Sequence, residues 1–141
     1  AAVNVGMRVG PRKVAALAKR FGLKGDIRAV PSLALGTSEA TPLEMASAFG
    51  VFAANGKHAE PLAIVEVRDQ DGKIQDEFRP KITDLHLRPE TIEGMRQLTR
   101  SVVAGGTGRA ASSVPEARGK TGTTEDHGDA WFVGYTPELA T

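Results

Sequence analysis

The residues best suited to chemistry sit together at Lys120-Thr121-Gly122-Thr123. Between Gly119 and Thr124 they read as a strand. Side chains alternate along a strand, so Thr121 and Thr123 share one face and Lys120 takes the other. Gly122 weakens the strand but lets a ligand or a second backbone approach closely. Two hydroxyls, one ammonium and a bare run of backbone amides make an anion site. A carboxylate would take hydrogen bonds from the hydroxyls and charge from the lysine. Composition alone favours a plainer reading, a surface hairpin with an exposed lysine.

Other chemistries fit less well. Gly119-Lys120-Thr121 ends like a Walker A loop, but the glycine required five residues before the Gly-Lys pair is Val114, and no helix signal follows Thr121. His58, His86 and His127 are far apart and form no His-Glu-x-x-His pair. Asp126, His127 and Asp129 read as solvated loop polars, so no metal site is expected. Gly36-Thr37-Ser38-Glu39-Ala40 looks superficially like a nucleophile elbow. Its last position is alanine, however, and no buried strand leads into it.

The elements around the site follow from periodicity. Ala130 to Tyr135 is an almost wholly apolar run that reads as the partner strand of a hairpin with Gly119 to Thr124, with Glu125-Asp126-His127-Gly128 as loop. Lack of alternation predicts cover on both faces, with helices on each side and Trp131 and Phe132 in the core. Thr124 and Asp129 flank the strand ends as supporting groups at best. Pro11 to Phe21 predicts a helix with Val14, Leu17, Ala18 and Phe21 on its apolar stripe, stopped by Gly22. Lys13, Lys19 and Arg20 read as its solvated face. Residues 23 to 40 read as a connector. Thr41, Pro42 and Glu44 give the start of a second helix with a capping box. Met45, Phe49, Phe52 and Ala53 form its stripe, and Asn55-Gly56 its left-handed stop. Leu62 to Phe78 predicts an outlying hairpin turning tightly at Asp71-Gly72, with Val65 opposite Phe78 and Val65, Val67, Ile74 and Phe78 on one face. Pro89 to Ala104 predicts a third helix striped by Ile92, Met95, Thr99 and Val102. Gly106 to Pro115 leads on to the Lys120 strand. Arg109 with Gly106 and Gly108 reads equally as a cleft rim or a solvated turn.

The bulk numbers are those of one soluble domain. The chain has 141 residues, 40% hydrophobic and 25% charged, with net charge +1 and no cysteine. That length suffices to bury roughly two thirds of the unfolded surface. Near-zero net charge implies neither nucleic acid nor an anionic membrane as partner. The chain contains no run of 18 apolar residues and no signal-peptide core. It opens on Ala1-Ala2-Val3 without methionine and ends at Leu139-Ala140-Thr141. Both ends read as cut, so a fragment of a larger protein is expected.

Lys120-Thr121-Gly122 with Asp129-Ala130-Trp131-Phe132-Val133-Gly134-Tyr135-Thr136-Pro137 resembles the Lys-Thr-Gly motif and following strand of the class A (bifunctional) penicillin-binding proteins. Gly36 to Ala46, Phe52-Ala53-Ala54-Asn55-Gly56 and Gly106-Thr107-Gly108-Arg109-Ala110 resemble the same family, in order along essentially the whole chain. The resemblance implies an α+β fold, a fragment of a β-lactamase/transpeptidase-like domain with an antiparallel sheet and packed helices. Residues 1–141 would be a partial penicillin-binding transpeptidase domain lacking the Ser-x-x-Lys and Ser-x-Asn segments and the C-terminal strand and helix. No serine here has a lysine three positions on.

By resemblance, Lys120 supplies positive field and Thr121 and Thr123 bind the carboxylate of the substrate or of a β-lactam. The peptide lies along the strand at Gly122, and the Thr123 backbone N–H is one of two oxyanion-hole donors. The nucleophile would lie upstream, outside this chain. The implied parent is a peptidoglycan D,D-transpeptidase that cross-links stem peptides through an acyl-serine and binds penicillin. It would be anchored on the periplasmic or extracellular face of the bacterial inner membrane, without cofactor or metal, with stem peptides and β-lactams as partners. Alternatives are a serine β-lactamase, a D,D-carboxypeptidase or a non-catalytic scaffold of the same fold. The fragment alone is expected to be inactive and, with strand edges and apolar faces uncovered, to dimerise or swap.

Overall fold

The computed structural model describes residues 1–124 and 128–141. Residues 125–127, assigned above to the hairpin loop and weighed as metal-site polars, lie outside the described residues. Helices and short antiparallel strands make an α+β arrangement, as expected. The strands form three separate two-stranded ladders rather than one sheet.

The central hairpin forms as expected, and the structure gives its register. β5 (Arg118–Thr123) pairs with β6 (Ala130–Tyr135), placing Lys120 opposite Val133 and Thr121 opposite Phe132. Paired residues share a face, so Arg118, Lys120, Val133 and Tyr135 lie on one side. That side meets the helices. Val133 and Tyr135 are 5% and 2% exposed. The Tyr135 ring packs against both Phe49 and Phe52, with centroids 6.4 and 6.3 Å away. Its hydroxyl lies 2.8 Å from Thr99 Oγ1. On the other side the Phe132 ring lies across two glycines. A Cβ on Gly119 or Gly134 would come within 2.5 or 2.6 Å of it.

Phe132 nevertheless stays 39% exposed, and Trp131 is half-buried. The expectation of two covered faces with Trp131 and Phe132 in the core is therefore corrected. An apolar strand need not be covered on both sides, and here glycines, not helices, receive the ring. Past β6 the chain turns at Thr136 and Leu139. Thr141 then exchanges both backbone hydrogen bonds with Gly134, at 2.8 and 2.9 Å, on the strand's second edge.

α3 (Pro42–Ala53) has the capping box the sequence announces. Glu44 N–H donates to Thr41 Oγ1 at 3.2 Å, and Thr41 N–H donates to a Glu44 carboxylate oxygen at 2.8 Å. Asn55 and Gly56 have φ of 53° and 87°, the left-handed stop. The buried stripe differs from the predicted one. Ala48, Val51 and Phe52 are buried, whereas Met45, Phe49 and Ala53 are half-buried.

α4 (Pro89–Gly105) buries Ile92, Thr99 and Val103, with Met95 and Val102 half-buried. Its Arg96 reaches back to the last turn of α3, donating to the carbonyls of Phe52 and Ala53 and to Asn55 Oδ1 at 2.6 to 3.2 Å. These bonds satisfy helix-end carbonyls that would otherwise lack partners. α2 (Pro11–Arg20) ends before Gly22, whose φ is 95°, but only Ala15 is buried and Leu17 is 41% exposed.

Among the elements not expected are α1 (Ala2–Val9) and a 3-10 turn at Pro31–Leu35 inside the connector. Ser38 follows that 3-10 turn, not a strand, so it is on no elbow. β1 (Lys57–Ala59) pairs with β4 (Ile82–Asp84), three residues each and too short to show a period. In the outlying hairpin, β2 (Glu66–Arg68) pairs with β3 (Ile74–Glu77). Glu66 lies opposite Glu77, and Phe78 N–H donates to Val65 C=O, as predicted. The turn is corrected. Asp69 and Lys73 close a three-residue loop with Gly72 left-handed at φ 80°, and the register shifts between Val67 and Arg68. Asp69 Oδ1 accepts from the backbone N–H of Asp71 and Lys73, holding the wider turn.

Candidate functional site

β5 is an edge strand, and its hydrogen-bond phase decides what it offers. Thr124 N–H donates to Asp129 C=O at 3.1 Å, so this pair is a hydrogen-bonded one. Antiparallel pairs alternate between bonded and non-bonded. Counting back in twos, Gly122, Lys120 and Arg118 bond to β6. Gly119, Thr121 and Thr123 therefore aim their N–H and C=O groups away from it. Gly134, opposite Gly119, confirms the phase by bonding to Thr141 on its own outer side. Exposure rises along the strand: Gly119 is buried, Thr121 half-buried, and Lys120, Gly122 and Thr123 exposed. The open edge is thus at 121–123.

The side chains gather on this edge. Lys120 points to the helix face by register, yet its Nζ curls to donate to Thr121 C=O at 2.6 Å. The ammonium therefore stands at the strand edge. Thr121 Oγ1 lies 2.5 Å from Thr107 Oγ1. Thr123 lies on the same face as Thr121, opposite Ala130. Gly122 leaves open space except for Trp131 Cβ at 3.6 Å from where a Cβ would stand. Thr124 and Asp129 close the hairpin mouth: Asp129 N–H donates to Thr124 Oγ1 at 2.7 Å. Arg109 is exposed and begins a 3-10 turn.

Thr107, which meets Thr121, was not among the predicted residues, and no spacing rule links two hydroxyls fourteen positions apart. Gly108 explains the closeness, for a Cβ there would be 3.0 Å from the Phe132 ring and 3.2 Å from Val102. The predicted Lys120, Thr121, Gly122 and Thr123 are one contiguous surface with Thr107 beside it. Chemically this surface offers two N–H and two C=O groups to an extended backbone, and hydroxyls and an ammonium to a carboxylate.

The structure also brings Ser47 and His58 together. Ser47 Oγ is 3.0 Å from His58 Nε2 and 3.2 Å from the Ala59 carbonyl oxygen. The hydroxyl has one proton to give, to the imidazole or to the carbonyl. Among the described residues no acid orients the other ring nitrogen of His58, so the pair lacks the third member of a nucleophile triad. Among the described residues no group of three or more metal-binding side chains forms, and no helix is long and apolar enough to cross a membrane.

Residues 2–140 match the family described as penicillin binding protein transpeptidase domain. The chain is 41% identical, over its whole length, to penicillin-binding protein 1A of Aquifex aeolicus (strain VF5), of which it covers 19%. It superimposes on the crystal structure of penicillin-binding protein 1A from Haemophilus influenzae with TM-score 0.85 and 27% identity, covering 99% of this chain and 27% of that one. The D,D-transpeptidase domain of a peptidoglycan glycosyltransferase from Eggerthella lenta gives TM-score 0.77 and 26% identity, over 96% of this chain and 42% of that one. The chain thus spans about a fifth of the length of the curated relative. The chain belongs to the penicillin-binding protein transpeptidase domain family.

Proposed function

We propose that this chain is the recognition part, residues 1–141, of a peptidoglycan D,D-transpeptidase that works through an acyl-serine. Lys120, Thr121, Gly122 and Thr123 bind the substrate on the open edge of β5. A stem peptide, or a β-lactam in its place, adds to the edge as a strand and bonds to the outward N–H and C=O of Thr121 and Thr123. Its carboxylate takes hydrogen bonds from the Thr121 and Thr123 hydroxyls, in the field of Lys120. The Thr123 N–H serves as one oxyanion donor, a contribution worth about 2.7–4 kcal/mol in the transition state of comparable enzymes.

The observation that carries this reading is the ladder phase. Had the hairpin closed one residue out of step, Thr121 and Thr123 would spend these groups on β6. The nucleophile and the Ser-x-Asn segment belong to a longer protein, and this chain by itself is inactive. The longer protein sits at the outer face of the bacterial inner membrane. The names of the relatives favour this reading over a β-lactamase or carboxypeptidase. The chain alone self-associates through its uncovered edge.

Intact-mass spectrometry after incubation with a penicillin tests the reading. The 141-residue chain is compared with a longer protein that includes a Ser-x-x-Lys segment. A drug-sized adduct on the longer protein alone is expected. An adduct on neither would reduce β5 to a relic of the fold, and one on the short chain would contradict the missing nucleophile.

A further inference from the structure

A second polar site lies on other elements and shares no residue with β5. The end of α2, the start of α3 and the β1–β4 ladder enclose an open cavity of about 450 Å³. That volume is in the range of small-molecule pockets, about 300–1,000 Å³. Lys19, Arg20 and Lys24 line it together with Ser47 and His58. His58 is only 8% exposed, and it fits because Gly22 has no side chain: a Cβ there would collide with the imidazole.

Two acids also line the cavity, but both are engaged. Glu44 accepts from Thr41 N–H, Thr41 Oγ1 and Lys24 N–H at 2.8 to 2.9 Å. Glu60 pairs with Lys81 at 3.3 Å. Arg20 spends one N–H on Leu85 C=O. The ammonium groups of Lys19 and Lys24 form no salt bridge among the described residues, though the Lys24 charge also helps to hold the Glu44 carboxyl down. Compensation of the α2 dipole accounts for Lys19 and Arg20 in its last turn. It does not account for Lys24, four residues past the helix end, nor for a buried imidazole facing the same space.

We propose that this cavity binds a phosphate group. Lys19, Lys24 and the remaining guanidinium N–H groups of Arg20 would hold the oxyanion, with the His58–Ser47 pair at its base. Three cations against the two carboxylates of Glu44 and Glu60 leave the lining net positive, which suits an oxyanion. The phosphate is either that of a small soluble ester or that of an anionic lipid headgroup.

The test is an NMR titration of the 141-residue chain with inorganic phosphate at constant ionic strength. Saturable shifts of the Lys24 amide and the His58 ring are expected. The double variant Lys19→Ala/Lys24→Ala should weaken binding at least tenfold. Arg12→Ala/Lys13→Ala, which removes the same charge from the same helix outside the cavity, should change it less than twofold. Absence of saturation overturns the proposal, as does equal weakening by both double variants, which would mean general attraction to a basic surface. Co-sedimentation with phosphatidylglycerol vesicles but not phosphatidylcholine vesicles, lost in the cavity variant, assigns a lipid headgroup. Saturable phosphate binding without co-sedimentation assigns a soluble ester.

Discussion

Thr121 makes three uses of one residue: its N–H and C=O face the open edge, and its hydroxyl meets Thr107. Replacing it with valine keeps the strand and its shape but removes the hydroxyl. A hydrogen bond to a charged group is worth about 1.5–3 kcal/mol. In a longer protein bearing the Ser-x-x-Lys segment, Thr121→Val should slow acylation by penicillin by about 10- to 100-fold, read by stopped-flow. The same change in this chain should move the melting midpoint little, because the side chain is only half-buried. An unchanged acylation rate would remove Thr121 from the site. Gly119→Ala works the other way. Its methyl would meet Phe132 Cζ at 2.5 Å and the Val133 carbonyl oxygen at 2.8 Å. The ring can swing aside but the backbone cannot, so about 1–3 kcal/mol of destabilisation is expected. Adding Phe132→Leu should restore only part of it in urea melts. That Lys120, Thr121, Gly122 and Thr123 stand together was readable, because they are consecutive on one strand. Thr107 was not, since its role depends on a loop folding back over fourteen residues, a distance that no spacing rule encodes.

Helices were legible at their ends more than at their faces. Thr41, Pro42 and Glu44 act within one turn, and local rules describe one turn well. Which side of α3 is buried depends on where Tyr135 and α4 stand, so Ala48 and Val51 displaced Met45 and Phe49 in the core. The cap makes a prediction in stability and another in pH. Thr41→Ala should cost about 1 kcal/mol, the usual loss for an N-cap. Bonds from the Thr41 backbone, then from the Lys24 backbone and the Thr41 hydroxyl, hold the Glu44 carboxyl below its ordinary value of 4.5. A carboxyl lowered by folding contributes stability that is fully present above the unfolded value. That stability is lost as pH falls through the lower folded one. Thermal melts of the parent chain and Glu44→Gln should therefore run parallel above about pH 5 and converge below 4.5, where the parent loses more. Parallel curves throughout would mean that Glu44 has the same affinity for protons folded and unfolded. The short strands β1 and β4 and the helix α1 escaped the sequence because three residues, or about two turns interrupted by Gly6, carry no dependable period.

At the scale of the molecule, the hairpin of β5 and β6 and the helices α2, α3 and α4 were legible, while the extent of cover was not. Cover depends on what other parts of the polypeptide lie against a surface. Leu35, Leu43 and Leu98 are 62–65% exposed, and Val5 is 61% exposed on α1, which buries no residue. With the open edge of β5, these surfaces predict that the isolated chain associates with itself. Two modes are separable. If the edge is the contact, a second β5 bonds to the outward groups of Thr121 and Thr123, and one missing N–H breaks the series. Thr123→Pro removes an N–H that β6 does not use, and proline is tolerated on an edge for that reason. The hairpin should then survive while the dimer is lost, seen in sedimentation velocity as a shift to a single slow species. Gly122→Pro removes a bond that β6 does use and should unfold the hairpin instead. If Thr123→Pro leaves the dimer intact, the apolar faces are the contact, and Leu43→Lys or Leu98→Lys should dissolve it. If the parent chain itself sediments as a monomer, neither surface is sticky enough to matter. The outward phase of β5 would then serve recognition of substrate alone.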